Sequence, residues 1–222
     1  MASATHATCD PRPAYSRAEL LADGAVHGVG IAGAAAAAVF LLGATATAGD
    51  ARALVAAAVY AAALTAMPWA SAAYNLAPAP RWRELLRRLD QAVIFVLIAG
   101  TYTPFGLVAL GGVLGSALLA LVWIVAAVGV VSKLWRPGWL DTRRSVALYL
   151  ALGWCALPAI GPLAGALAPA TLALLGLGGL LYTVGVIFHL WTTLPFHNAI
   201  WHAFVVVAAG CHVFAVFDVL VG

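Results

Sequence analysis

The chain has 222 residues, 64% hydrophobic and 9% charged, with a formal net charge of +3 and a mean hydropathy of +1.02. Soluble globular domains carry about 25% charged residues, so a soluble fold is excluded. The apolar runs are continuous and near 20 residues rather than alternating in short segments, which excludes a membrane β-barrel and leaves an all-α, multi-pass helical bundle.

Cys9, Cys155 and Cys211 form no CxxC pair, so neither a disulfide framework nor a cysteine-rich zinc site is implied. The pI near 9.0 comes from arginines flanking apolar runs. That pattern is a topology signal of a membrane protein and gives no reason to expect nucleic acid as a partner.

Residues 1–23 are polar and contain Asp10-Pro11-Arg12-Pro13, and they read as a cytoplasmic tail ahead of a transmembrane domain over residues 24–222. Glu19 and Asp23 suit the opening of a helix. Span one is predicted over residues 24–47, beginning near His27-Gly28-Val29-Gly30, and span two over 53–76, with Pro68 as a kink and Ser71 and Asn75 near its end. The leucines and arginines of residues 78–90 predict a short interfacial helix. Span three then starts at Asp90-Gln91 and contains Thr101-Tyr102-Thr103-Pro104, whose hydroxyls are expected to mend backbone groups freed by the proline. Span four covers 112–132. After a basic loop with Trp135 and Trp139, spans five (145–163), six (172–191) and seven (199–221) complete the count, with Gly161-Pro162 and Ala168-Pro169 blurring the boundary between five and six.

Seven spans put ten of the eleven basic residues on one side: Arg12 and Arg17, then Arg81 to Arg88, then Lys133 to Arg144. Only Arg52 falls on the other. The positive-inside rule therefore predicts a cytoplasmic N-terminus and an external C-terminus, in a cell (plasma) membrane protein.

This topology brings Ser71, Asn75, Asp90, Gln91, Asn198 and His202 to one membrane level, together with His27 and His189. Ser71/Asn75 and Asn198/His202 are i,i+4 pairs, so each pair shares a helix face. Polar groups at membrane depth face the bundle interior and need partners, which makes this level a site hypothesis. The direction of His197, five residues before His202, is left open. His212 lies about 15 Å deeper than His202 and belongs to no common ligand set. The bland readings stand beside these: Asp90 as a helix cap, Ser71 bonded to its own backbone, and His27, His189 and His212 as structural groups.

The segments His27-Gly28-Val29-Gly30, Ser71-x-x-x-Asn75, Leu89-Asp90-Gln91-Ala92 through Ile98 to Phe105, Tyr182-Thr183-x-Gly185, and Ala199-Ile200-Trp201-His202 through Cys211-His212 carry a resemblance. The chain resembles the hemolysin III branch of the progestin and adipoQ receptor family, seven-helix proteins related to adiponectin receptors and alkaline ceramidases. In hydrolase-like members the family pattern implies a zinc ion held by three histidines, with an Asp holding the metal-bound water and a Ser supporting it. By position, His202 matches a ligand, and Asp90 and Ser71 match the catalytic pair. Asn75 and Asn198 stand where the other two histidines are expected, and Gln91 replaces a histidine often found after the Asp.

Imidazole is a far better zinc donor than an amide oxygen. Three readings follow. Asn75, Asp90, Asn198 and His202 form a metal-free hydrogen-bonded plug; or a rearranged zinc site recruits His197 or His27 beside His202 and Asp90; or a harder ion takes Asp and Asn oxygens. The functional expectations, in order, are membrane lipid and fluidity homeostasis with a degenerate or altered metal site, a metal-dependent lipid amide hydrolase, and a pore-forming hemolysin-like protein. Membrane lipids are the expected partners.

Overall fold

The computed structural model describes residues 15–76, 80–136 and 139–222, so the tail over residues 1–14 lies outside the described residues. Among the described residues, seven helical spans are long and apolar enough to cross a membrane, as the sequence predicts. Helix α1 (Arg17–Ala48) packs on α2 (Ala51–Leu76), α2 on α3 (Arg83–Pro104), and α3 on α4 (Gly112–Trp135). Span five is broken into α5 (Thr142–Gly153) and α6 (Ile160–Ala166). Helix α7 (Pro169–Leu190) then packs on α8 (His197–Val221), and α8 returns to α1. The ring closure seats the start of α1, the end of α2 and the start of α8 side by side, at the end of the bundle that bears the basic loops.

Small residues let these helices approach. A Cβ on Gly100 of α3 would stand 2.6 Å from Ala63 Cβ of α2, and one on Gly129 of α4 would meet the Phe95 ring at 2.5 Å. Lipid offers no hydrophobic drive between helices, so such close packing carries the association. Tyr60, Phe95, Val122 and Val216 fill the interior, while Val39, Phe40, Val113 and Phe214 point outward as a lipid-facing surface.

Several boundaries differ from the sequence expectation. Helix α1 starts at Arg17, because Ser16 and Glu19 form a capping box: the Ser16 hydroxyl accepts the Glu19 N–H and the Glu19 carboxylate accepts the Ser16 N–H. Of residues 78–90, expected to form a separate interfacial helix, 78 and 79 lie outside the described residues, and the rest are instead a 3₁₀ turn at Pro80–Trp82 and the first turns of α3. Asp90 therefore sits two turns inside a helix, and the cap reading fails. Pro68 lies inside α2, which stays helical from Ala51 to Leu76.

Thr101 and Thr103 bond Leu97 O and Ala99 O, the carbonyls of their own preceding turn, rather than the Gly100 carbonyl that Pro104 leaves without a donor. Tyr102 does something else. Its hydroxyl donates to Gly153 O at 2.8 Å and accepts the Ala156 N–H at 3.2 Å, mending the break in span five. A π-helical turn, Phe105–Leu110, continues span three beyond the proline.

Candidate functional site

The site starts with one helical stripe. Glu19, Asp23 and His27 are spaced i,i+4 on α1 and face α2 and α8. Asp23 and His27 are each 4% exposed, an unusual depth for a carboxylate that must therefore be paired. Its partner is His202 of α8: Nδ1 lies 2.6 Å from Asp23 Oδ1. A carboxylate only accepts, so the ring N–H donates to it. Asn198, one turn earlier on α8, donates its amide N–H to Asp23 Oδ2 at 3.2 Å.

His27 is oriented in the same manner. Its Nδ1 lies 2.8 Å from the Asp23 backbone carbonyl, which also can only accept. Both rings then present Nε2 to the same atom, the Ser71 hydroxyl oxygen of α2, at 3.2 Å from His27 and 3.3 Å from His202. The two rings meet edge to face with centroids 4.4 Å apart. Asn75 donates to Ser71 O at 3.0 Å and Ser71 Oγ at 3.3 Å, and its own amide oxygen accepts from Asn198 at 3.2 Å. Asp90 of α3 completes the group, its carboxyl interacting with Ser71, His202 and Asp23.

With both imidazoles neutral and donating through Nδ1, two Nε2 lone pairs and the Asp90 carboxyl face one hydroxyl proton. Ser71 can satisfy only one of the three. The histidine lone pair that remains calls for a further proton or a cation, and the carboxyls of Asp23 and Asp90 lie beside it to balance that charge. Ligand-type atoms of Asp23, His27 and His202 lie within 4.8 Å of one another, a two-histidine, one-carboxylate set of the kind divalent metals accept.

Of the residues singled out from sequence, Ser71, Asn75, Asp90, Asn198, His202 and His27 meet. His197 does not join them: although 5% exposed, its Nε2 pairs with the Tyr15 hydroxyl at 3.3 Å. His189 instead packs against Trp201, with centroids 5.2 Å apart, and His212 contacts Tyr182 and Leu175 O deep in the bundle. Gln91 belongs to a neighbouring latch, where its side-chain oxygen accepts from the buried Lys133 at 2.9 Å and its backbone carbonyl from Tyr149 at 2.7 Å. The residue missed from sequence is Asp23. Placing the helix start at residue 24 left it in the tail, although the Ser16-x-x-Glu19 capping signature and the i,i+4 step to His27 were both legible.

A model of the haemolysin-III-related family matches residues 18–213, nearly the whole described chain. The chain belongs to this family. It is similar to the hemolysin-3 homolog of Bacillus subtilis, 37% identical over 202 residues that cover 89% of this chain and 92% of that one. Hemolysin-3 of Bacillus cereus is 38% identical over 187 residues, covering 84% and 85%. A more distant similarity, 31% over 134 residues covering 59% and 54%, joins it to the human monocyte to macrophage differentiation factor. Within this family frame, the two amides at positions 75 and 198 are hydrogen-bonded to each other, and the buried carboxylate that engages His202 comes from span one.

Proposed function

We propose that this haemolysin-III-related protein acts in membrane-lipid homeostasis. Its basic end faces the cytoplasm of a plasma-membrane protein, and its buried polar cluster sets how the helices close there. One observation carries the reading: Asp23, Ser71, Asn75, Asn198 and His202 form a mutually hydrogen-bonded group joining α1, α2 and α8. Every member bonds a residue of another helix, so a change in lateral packing by lipid acts on several bonds together. The test is a deletion strain followed by lipid-order measurements with a membrane probe and by lipid analysis after a temperature shift. A delayed or reduced adjustment, restored by the wild-type gene and less so by Asp23→Ala, is the expected outcome. An adjustment identical to the parent strain removes the proposal.

A second reading is favoured by the convergence of Asp23, His27 and His202. These three residues fit a divalent ion, whereas the amides at 75 and 198 do not fit the histidine chelate of the family pattern. A bound ion would polarise a lipid carbonyl and lower the pKa of a bound water. Asp90 would orient that water, Ser71 would support it, and Asn198 would hold Asp23 in place. Metal analysis of purified protein tests this without any substrate: close to one zinc or other divalent ion per chain, lost in His27→Ala and His202→Ala, is expected. Sub-stoichiometric metal that both variants leave unchanged rejects it.

A further inference from the structure

Two spaces lie on the outer side of the polar cluster and share a wall. A small space of about 10 Å³, room for about one water, is lined by Asp23, Asn75 and Asn198 on its inner side and by Tyr15, Glu19 and Phe196 on its outer side. Those last three residues also wall a larger open vestibule of about 270 Å³, with Ser16, Thr192, Thr193 and His197. Ligand pockets for whole drug-sized molecules run from about 300 to 1,000 Å³. The vestibule therefore suits a polar headgroup whose chains remain outside, and it lies at the end of the bundle where Trp191 is exposed like an interfacial anchor.

Its chemistry has two poles. Glu19 supplies a carboxylate whose oxygens already accept Phe196 N–H at 3.0 Å and the Ser16 backbone and hydroxyl at 2.8 Å each. A carboxylate has about four acceptor sites, so it retains capacity for an ammonium donor, beside the aromatic ring of Tyr15. The other pole is His197. Its Nδ1 is buried without a hydrogen-bond partner among the described residues. Nε2 pairs with the Tyr15 hydroxyl, so in the tautomer that protonates Nδ1 the ring offers a donor without an acceptor. The Thr192 and Thr193 side chains, both exposed, add hydroxyls to this wall. Between the poles Phe196 holds φ 61°, the one positive φ of a non-glycine residue among the described residues. Such backbone strain persists where surrounding contacts enforce it, and it gathers at ligand sites.

We propose that this vestibule binds the headgroup of an amino phospholipid, the primary ammonium on Glu19 and the phosphate on His197 with Thr192 and Thr193. The proposal deepens the homeostasis reading, since the occupant touches Tyr15, Glu19 and Phe196, the residues that close the cluster from outside. Native mass spectrometry of the full-length protein in detergent tests it, with phosphatidylethanolamine, phosphatidylcholine and phosphatidylglycerol of identical acyl chains. One retained phosphatidylethanolamine is expected, at least about tenfold preferred over the other two, the fold-change of one charge-assisted hydrogen bond. Glu19→Gln, which preserves the capping box, and Thr192→Val/Thr193→Val both reduce retention by about tenfold, while His197→Gln reports on the phosphate pole. Circular dichroism and melting temperature confirm that each variant is folded.

Equal retention of all three lipids overturns the proposal, as does phosphatidylethanolamine binding that Glu19→Gln and the threonine double variant leave intact. Binding of soluble phosphoethanolamine without binding of the lipid overturns the assignment to a membrane lipid. A lipid bound as expected, alongside an unaltered deletion strain, would leave this site standing and remove only the homeostasis role.

Discussion

The two ends of α8 handle polar groups in opposite ways. At its start, His202 and Asn198 engage Asp23 of α1 and Ser71 and Asn75 of α2, so one helix is tied to two others through shared acceptors. Near its other end, the Asp218 carboxylate accepts from the buried Thr171 hydroxyl of α7, while its backbone carbonyl closes the last helical turn on Gly222 N–H at 3.1 Å. The first arrangement is a network in which removing one member leaves several others without partners. The second is an isolated interhelical pair. Unsatisfied groups in a water-poor interior cost more than a made bond contributes, so the difference predicts unequal sensitivity at the two ends.

Asp23→Ala gives the largest expected loss. It strips His202 Nδ1 of its acceptor and Asn198 of one of its two in one step, and removes one of the cluster's two carboxyls. Each buried donor left unsatisfied costs about 1–3 kcal/mol, so two cost about 2–6 kcal/mol, and for a chain of this size each kcal/mol lowers the melting temperature by about 2–4 °C. A fall of about 4 °C or more in detergent is expected, with Asp23→Asn intermediate. A change below about 2 °C would mean that the cluster is not interlocked, and the contrast between the two ends would collapse.

The number and order of the spans were legible because a bilayer demands long apolar runs and leaves few alternatives. The meeting of Ser71, Asn75, Asp90, Asn198 and His202 was legible too, since spacing and topology place them at one level. What escaped reading depended on polar residues that extend helices beyond their apolar stretch. Asp23 joined the tail because hydropathy fades before Arg17, although the capping box starts the helix there. Lys133 falls in a basic loop by sequence, yet it stands on the last turn of α4 and is 2% exposed, its ammonium donating to Gln91 Oε1 and Leu140 O. The break in span five showed as a blurred boundary. That Tyr102, fifty residues away, would mend it is a tertiary fact with no local signature.

Tyr102 gives the middle case. Tyr102→Phe removes one donor to Gly153 O and one acceptor for Ala156 N–H while keeping the ring's packing against the core. Both backbone groups lie where a helix is interrupted, so neither has a helical substitute close by. A loss of about 1–2 kcal/mol is expected, together with faster amide exchange confined to residues 153–160. Exchange that spreads evenly over the bundle would show that the tyrosine supports general packing and not the break.

The smallest effect belongs to the isolated pair. Thr171→Val removes the hydroxyl that bonds Asp218 and retains the β-branched shape, so only the bond is lost. Interhelical hydrogen bonds inside membrane proteins average about 0.6 kcal/mol, and a shift of that order is expected. Combining it with Asp23→Ala tests the comparison itself. The two sites share no partner and sit at opposite ends of α8, so their effects should add within about 0.5 kcal/mol. Asp23→Ala combined with His202→Ala should instead fall short of additivity by at least about 1 kcal/mol, because the second change removes a group that the first has already left without its acceptor.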